Sequence, residues 1–370
     1  MDAEHVDGCG PNGVSSDPSF VAQPATGAQR SPRVVAVCVT HDSQDLLAEC
    51  VASLRTGPAA NWPRVVIVDS GSRDASHDLA VSLVGPADAI WLGANRGYAA
   101  GINAGLAHLV STGGADVVLL LNPDVSLWPG AGAALAEALQ GDGVGISAPV
   151  LLDEQGRRQL SLRLRPRLAS IWCEALLGGP LTARLGLPSQ TVHHPELYER
   201  EGLADWATGG ALAVSWDCLQ DVGEWEESYF LYDEEVDFTL RARDKGWRLV
   251  HVPSARVTRR TASGDSPLAY VLIRVNRVSL MRRHGGRWAA ASTWCALMAG
   301  ELLRALTLRE PAPVAVRALL FGWTPSDVLR WDQELTGAST APSRSRRLCS
   351  RPLCASVLRR PHPIAARRVS

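Results

Sequence analysis

Apolar residues along this chain fall into short unbroken runs, separated by stretches in which they recur at helical spacing. Residues 34–39 (VVAVCV) form a β-branched run of the kind that fills a strand buried on both faces. Residues 45–54 follow with helical spacing, and 65–68 (VVIV) predict a second strand. A second helix is expected over 76–83, a third short strand over 89–92, a third helix over 99–109 and a fourth strand over 116–121. Strands alternating with helices predict an α/β domain with a mostly parallel sheet covered on both faces.

In such sheets ligands bind beyond the carboxyl ends of the strands. The first strand runs into Thr40-His41-Asp42, the second into Asp69-Ser70-Gly71-Ser72, the third into Asn95-Arg96-Gly97-Tyr98 and the fourth into Asn122-Pro123-Asp124. The last is the sharpest case, because LLLNPDV drives an apolar run straight into a carboxylate. A carboxylate near a core is costly unless something pairs with it. Asp124 is therefore either a turn residue or a group awaiting a cation. Four polar strand ends in a row favour a site.

After residue 150 the pattern loosens. Residues 151–204 carry Arg157, Arg158, Arg163, Arg165 and Arg167, and 205–214 (DWATGGALAV) hold Trp206 and the pair Gly209-Gly210. Residues 229–243 open on aromatics and continue as an amphipathic helix with Val236, Leu240 and Trp247 as core positions. Asp233, Glu234, Glu235 and Asp237 crowd its start, either as a solvated cap favoured by the helix dipole or as a site awaiting positive charge. Residues 288–323 are apolar with Arg304, Arg309 and Arg317 interspersed, which predicts helix packed on the domain or lying in a membrane interface. His193 and His194 lack ligand partners at metal spacing and read as loop residues.

Composition narrows the picture. With 46% hydrophobic and 20% charged residues and a net charge of −1, the chain is an ordinary globular protein with no global signal for nucleic acid. Its eight cysteines include no CxxC and no zinc spacing, so reduced thiols in a cytoplasmic protein are expected. The first 30 residues are polar and acidic without an apolar h-region, and no window of about 20 residues is uninterruptedly apolar, so neither a signal peptide nor a spanning helix is expected. Residues 1–32 are polar and expected to be disordered; the GxGxxG over 8–13 has no strand before it and contains Pro11, so it is rejected as a dinucleotide fingerprint. Residues 337–370 hold eight Arg and no acid, an Arg-rich tail expected to be disordered and able to touch anionic lipid.

In order along the chain, VVAVCVTHD, VVIVDSGSRDAS, NRGYAAGINAGL, LLLNPDV, ATGGALAV and YFLYDEEVDFTLRARDKGWRLVHVP resemble the inverting glycosyltransferases of family 2, and within them the bacterial rhamnosyltransferase-like branch. The resemblance spans roughly 33–285. It implies a GT-A fold with a nucleotide-sugar half (33–150) and an acceptor half (151–285), followed by a helical extension over 286–336 that either packs on the domain or is membrane-interfacial. It implies donor contacts from Thr40, His41, Asp69, Asn95, Gly97, Asn103 and Asn122, with Gly101 in the same segment. Asp124 would meet a Mg²⁺ or Mn²⁺ on the donor diphosphate. Gly209 and Gly210 match an acceptor-side turn, Trp206 is either core or an acceptor platform, and Glu234-Glu235 match the pair whose second member is the general base. The implied partners are a dTDP- or UDP-sugar and a saccharide or lipid-linked saccharide of the cell envelope, with peripheral membrane contact at the inner face.

Two positions depart from the family pattern. The base slot usually holds Asp, and here it is Glu235. Where a metal-binding His is common, the chain reads VTRRTAS, so Arg259 or Arg260 is expected to neutralise the diphosphate directly. These departures keep a catalytically degenerate, donor-binding scaffold as the alternative. A sugar nucleotidyltransferase ranks lower, because VTHDSQDLL lacks a glycine-rich phosphate loop.

Overall fold

The computed structural model describes residues 32–56, 62–260, 266–306 and 311–336. The expectations for the two tails, for Arg309 and for Thr261-Ala262-Ser263 lie outside them.

The first half alternates as the apolar runs predict: β1 (Val34–Thr40), α1 (Gln44–Leu54), β2 (Arg64–Asp69), α2 (Ser76–Val84), β3 (Ala89–Trp91), α3 (Tyr98–Ser111) and β4 (Val117–Leu121). Then come β5 (Val125–Leu127), α4 (Ala131–Ala138), β6 (Val144–Leu152), β7 (Leu162–Arg163), α5 (Leu168–Leu177) and α6 (Gly179–Arg184). The chain continues through β8 (Gly202–Ala204), β9 (Trp206–Ala207), β10 (Ala211–Ser215), α7 (Trp216–Val222), α8 (Glu234–Asp244) and β11 (Arg248–Arg259). It closes with α9 (Pro267–Leu306), α10 (Ala312–Leu320) and α11 (Pro325–Thr336).

The main sheet runs β3-β2-β1-β4-β10-β6-β11-β5, with β8 added on β11. Strands β3, β2, β1 and β4 are mutually parallel, whereas β10 enters antiparallel to both β4 and β6. The sheet is thus mixed. A separate two-stranded ribbon pairs β7 with β9. Period-two alternation divides each central strand between two cores: Val35, Val37 and Val39 face one layer, Ala36 and Cys38 the other.

Helix α3 covers the first layer at unusually close range. A Cβ on Gly101 would lie 2.4 Å from a Val39 methyl, and one on Gly105 2.6 Å from Val37. Gly101 is therefore a packing residue. This close seating brings the start of α3, with Gly97, up to the carboxyl end of β1.

The helical region begins at Pro267, before the 286 boundary expected from sequence, and α9 runs across that boundary with a kink at Gly286 (φ 78°). Its first half packs Val271, Leu272 and Val275 against Ala315 and Ala318 of α10 and against the 230–232 loop. Its second half packs Ala289 and Ala296 on Ile171 and Ala175 of α5. Val236 and Leu240 are buried as expected, while Trp247 is half-buried beyond the end of α8, its indole N–H donating to Asp221 at 2.9 Å.

Candidate active site

A cavity of ≈ 580 Å³ opens beyond the carboxyl ends of β1 and β4. One wall carries Thr40, His41, Ser70, Asn95, Gly97 and Asn122. Thr40 Oγ1 and His41 Nδ1 are buried without a hydrogen-bond partner, although buried polar atoms are normally satisfied. Ser70 Oγ accepts the Arg96 N–H at 3.0 Å, and Asn95 Oδ1 accepts the Gly97 N–H at 3.1 Å, which shapes the loop entering α3. A larger cavity of ≈ 960 Å³ lies at the opposite end of the sheet around Trp62 and Trp128. None of its lining residues is among the buried groups lacking a hydrogen-bond partner, so the chemistry points to the smaller one.

The facing wall is the segment leading into α8. The Leu231 N–H donates to Tyr229 O at 2.7 Å across Phe230 (φ 63°, ψ −59°), closing a γ-turn of the strained hand. Tyr232 (φ 69°) and Asp233 (φ 68°) are also left-handed. Three such non-glycine residues in four cost about 1–3 kcal/mol each and need outside support. Helix α9 supplies it. Asn276 Nδ2 donates to the carbonyls of Tyr229, Leu231 and Tyr232 at 2.9, 2.8 and 2.9 Å. Arg277 grips Asp233 through Nε at 3.1 Å and Nη2 at 2.8 Å. Gly97 closes the seam from the other side: its positive φ (86°) and a Cβ that would lie 2.1 Å from Phe230 O exclude any side chain. The Tyr98 N–H then donates to that same oxygen at 2.8 Å.

This frame aims Glu234 and Glu235 into the cavity. Both have an Oε2 that is buried and without a hydrogen-bond partner. Burial raises both carboxyl pKa values; mutual repulsion pushes Glu234 further, and Asp233 adds to the rise at Glu235. Glu235 Oε1 accepts the Gly209 N–H at 3.3 Å, which favours its ionised form. Of the two, Glu234 is pushed up further, and the Gly209 contact makes Glu235 the more readily ionised member.

Between the walls Asp124 pairs with a cation of the chain itself. Arg259 Nε donates to Asp124 Oδ2 at 3.0 Å and its Nη1 to Gly209 O at 2.9 Å, with both side chains buried. Among the described residues no group of three His, Cys, Asp or Glu side chains is placed to hold a metal. Arg259 thus supplies a cation of the chain itself at Asp124 Oδ2.

Residues 35–182 match the family described as glycosyl transferase family 2. The chain is 32% identical over 272 residues to an N-acetylglucosaminyl-diphospho-decaprenol L-rhamnosyltransferase of Mycobacterium tuberculosis, covering 70% of this chain and 87% of that relative. The chain belongs to glycosyltransferase family 2. More weakly, it is 26% identical over 151 residues (41% of this chain, 44% of the relative) to a low-salt glycan biosynthesis hexosyltransferase, Agl10, of Haloferax volcanii. Its fold matches a crystal structure of GalNAc-T7 with UDP, GalNAc and Mn²⁺ at a TM-score of 0.51 and 14% identity, covering 69% of this chain and 48% of that one. The chain is a transferase with a GT-A fold and a C-terminal helical region.

For this family 2 enzyme, the structure gathers Thr40, His41, Asn95, Gly97, Asn122, Asp124, Trp206, Gly209, Glu234, Glu235 and Arg259 around one cavity. Four expected residues stand elsewhere. Asn103 lies off the cavity: its Nδ2 donates to Trp225 O at 2.9 Å and its Oδ1 accepts the Trp225 N–H at 2.9 Å, so it fastens α3 to the 225–227 segment. Asp69 sits behind the wall, with Oδ1 accepting the Ser72 N–H at 2.7 Å in an Asx turn. Gly210 accepts the Asn122 N–H at 2.8 Å and backs Arg259. Arg260 points outward to Glu49 at 3.0 Å and Glu154 at 3.5 Å, leaving Arg259 as the one of the pair inside. Sequence reasoning missed Arg277, Gln190 and Glu174 in the lining. It noted Arg163 only within a run of arginines.

Proposed function

We propose that this chain is an inverting glycosyltransferase that moves a hexosyl unit, with rhamnose the leading candidate, from a dTDP- or UDP-sugar to a hydroxyl of a lipid-linked saccharide used in cell-envelope polysaccharide. The observation that carries the reading is the meeting, in one cavity, of the polar ends of β1 and β4 with the adjacent carboxylates of Glu234 and Glu235. The 32% identical rhamnosyltransferase supports the choice of sugar and of acceptor class.

In this reading the nucleotide lies along Thr40, His41, Ser70 and Asn95, with its diphosphate toward Arg259. Glu235 takes the proton of the acceptor hydroxyl as that oxygen attacks the anomeric carbon. The bond to the nucleoside diphosphate breaks on the opposite face, and the configuration inverts. A positioned carboxylate base contributes about 10²–10⁴-fold. Arg259, held by Asp124, takes up the charge that develops on the leaving diphosphate by charge-assisted hydrogen bonds.

The test is release of nucleoside diphosphate from a panel of dTDP- and UDP-sugars with a lipid-linked N-acetylglucosamine acceptor. Glu235→Gln should lower kcat by about 10²–10⁴-fold with donor affinity retained. EDTA should leave the wild-type rate in place, whereas Arg259→Gln should abolish it. Turnover undiminished in Glu235→Gln would remove the base assignment, and a wild type inert toward every donor would overturn the reading.

A further inference from the structure

One cation in the cavity has no ion-pair partner among the described residues. Arg163 lies on β7, opposite Trp206 of β9, and lines the cavity together with Trp206, Thr208, Gln190 and Arg277. Its Nη1 donates to Thr191 Oγ1, its guanidinium carbon sits 5.9 Å from the Trp206 ring centre, and its Nε is buried with no hydrogen-bond partner. Among the described residues no carboxylate lies within ion-pair distance of it. The other two arginines of the lining are paired, Arg259 with Asp124 and Arg277 with Asp233.

The nearby carboxylate of Glu174 is already committed: Oε1 accepts from Ser189 Oγ and from the Gln190 N–H, and Oε2 from Gln190 Nε2. Burial pushes the Arg163 pKa down, Tyr198, Glu174 and Glu235 act against that from beyond ion-pair distance, and Arg277 adds like-charge repulsion. A guanidinium stays charged at any working pH. Arg163 is half-buried with its Nε shielded from solvent, and an aromatic face offsets only part of the cost of desolvating a charge that lacks a close counter-ion. The arrangement is complete only when a ligand brings an anion.

That anion belongs to the acceptor. Arg163 is carried by the ribbon that also holds the Glu235 wall, since the Thr208 N–H donates to Ser161 O at 2.9 Å and the neighbouring Gly209 N–H donates to Glu235. The donor diphosphate already has Arg259 at the strand ends. Resting on the transferase reading above, we propose that Arg163, flanked by Trp206 and Gln190, is the subsite for a phosphate carried at the anomeric end of the acceptor sugar. It makes the enzyme select phosphorylated or diphospho-linked acceptors over neutral glycosides.

The experiment compares two acceptors built on one sugar, a geranyl diphosphate conjugate and a neutral octyl glycoside, with wild type, Arg163→Gln and Arg163→Lys. Loss of charge-assisted hydrogen bonds should lower the kcat/KM ratio of diphosphate to neutral acceptor by about tenfold to a hundredfold in Arg163→Gln, and by less in Arg163→Lys. An equal loss with both acceptors would mark Arg163 as structural, and a change confined to donor KM would give its anion to the donor; either overturns the proposal. A second arm needs no turnover. Protein presaturated with dTDP is titrated with geranyl diphosphate, and Arg163→Gln should bind it about tenfold or more weakly than wild type. Unchanged binding overturns the subsite. If no nucleotide sugar is turned over, the transferase reading fails while this titration still decides the anion site. Should Arg163→Gln not fold, the Arg163→Lys ratio decides.

Discussion

At the scale of single residues the site rests on two acids that the fold makes uncomfortable. Glu234 is buried and Glu235 half-buried beside it, and each has a raised carboxyl pKa because the loss of solvent penalises its charge. A base with a raised pKa is ionised only at higher pH, so the acidic limb of kcat/KM should sit above the pH of an exposed carboxylate. The rate should climb with pH through that raised value and then level. A limb at the ordinary glutamate position would place the base elsewhere. The same shift has a stability consequence of opposite sign. A group whose folded pKa is raised contributes stability that is full below its unfolded value and is lost as pH rises through the folded one. Glu234→Gln removes that loss. It should therefore raise Tm by about 2–5 °C near pH 8, and by much less near pH 4, where wild-type Glu234 is protonated in the fold and mostly protonated in the unfolded chain. Melting curves at the two pH values check this, and an equal shift at both would deny that Glu234 titrates in the fold. Arg163 and Arg259 show the converse economy: one guanidinium has its carboxylate inside the protein, while the other awaits a ligand.

At the scale of elements the acids are only as well placed as the segment before α8. That segment holds three left-handed non-glycine residues, and Asn276 on α9 binds three of its carbonyls with one amide. Asn276→Ala should cost about 2–4 kcal/mol, because three carbonyls lose the Asn276 amide and only Tyr229 O keeps the Leu231 N–H of the turn. It should also reduce kcat with little change in donor affinity, since Thr40, His41 and Asn95 are untouched. Gly97→Ala should do both kinds of damage, its methyl meeting Phe230 O where the donor loop and the acid loop touch. Donor titration and thermal melts on the two variants separate these outcomes. The contrast explains what the sequence could show. Strands β1, β2 and β4 were legible because unbroken β-branched and leucine runs have few other solutions, and their polar ends gave one wall of the cavity. Asn103 was misplaced because a one-turn shift along α3 moves a side chain from the cavity to the neighbouring 225–227 segment, and motif order does not report that turn. Asn276 and Arg277 left no trace in the pattern. They sit on a long helix whose role depends on a contact with residues more than forty positions earlier.

At the scale of the whole molecule the helical region does two jobs: it clamps the site, and it leaves an apolar surface next to it. Helix α5, which contributes Glu174 to the cavity, ends in exposed Leu176 and Leu177, and α6 adds exposed Leu181 and Leu185. The end of α9 lies against them, because Gly300 abuts Ala175 O and Arg304 Nη2 donates to that oxygen at 2.8 Å. There Leu303 is 52% and Leu306 81% exposed. Exposed Arg167 and Arg184 belong to the same two helices and their lead-in. No helix among the described residues is long and apolar enough to cross a membrane, so contact with lipid through this surface would be interfacial. Leucine side chains entering an acyl boundary gain about 1.5–3 kcal/mol each when fully buried, and each arginine near an anionic surface adds about 1 kcal/mol. A handful of each suffices for reversible docking, and it would bring a lipid-linked acceptor to the Arg163 side of the cavity. The full chain should therefore co-sediment with vesicles containing anionic lipid, less with zwitterionic ones, and lose most of that binding in Leu303→Ser/Leu306→Ser. The double variant should keep its activity on a short soluble acceptor and lose it on a long-chain acceptor presented in vesicles. Equal vesicle binding by wild type and double variant would place any membrane contact on another face.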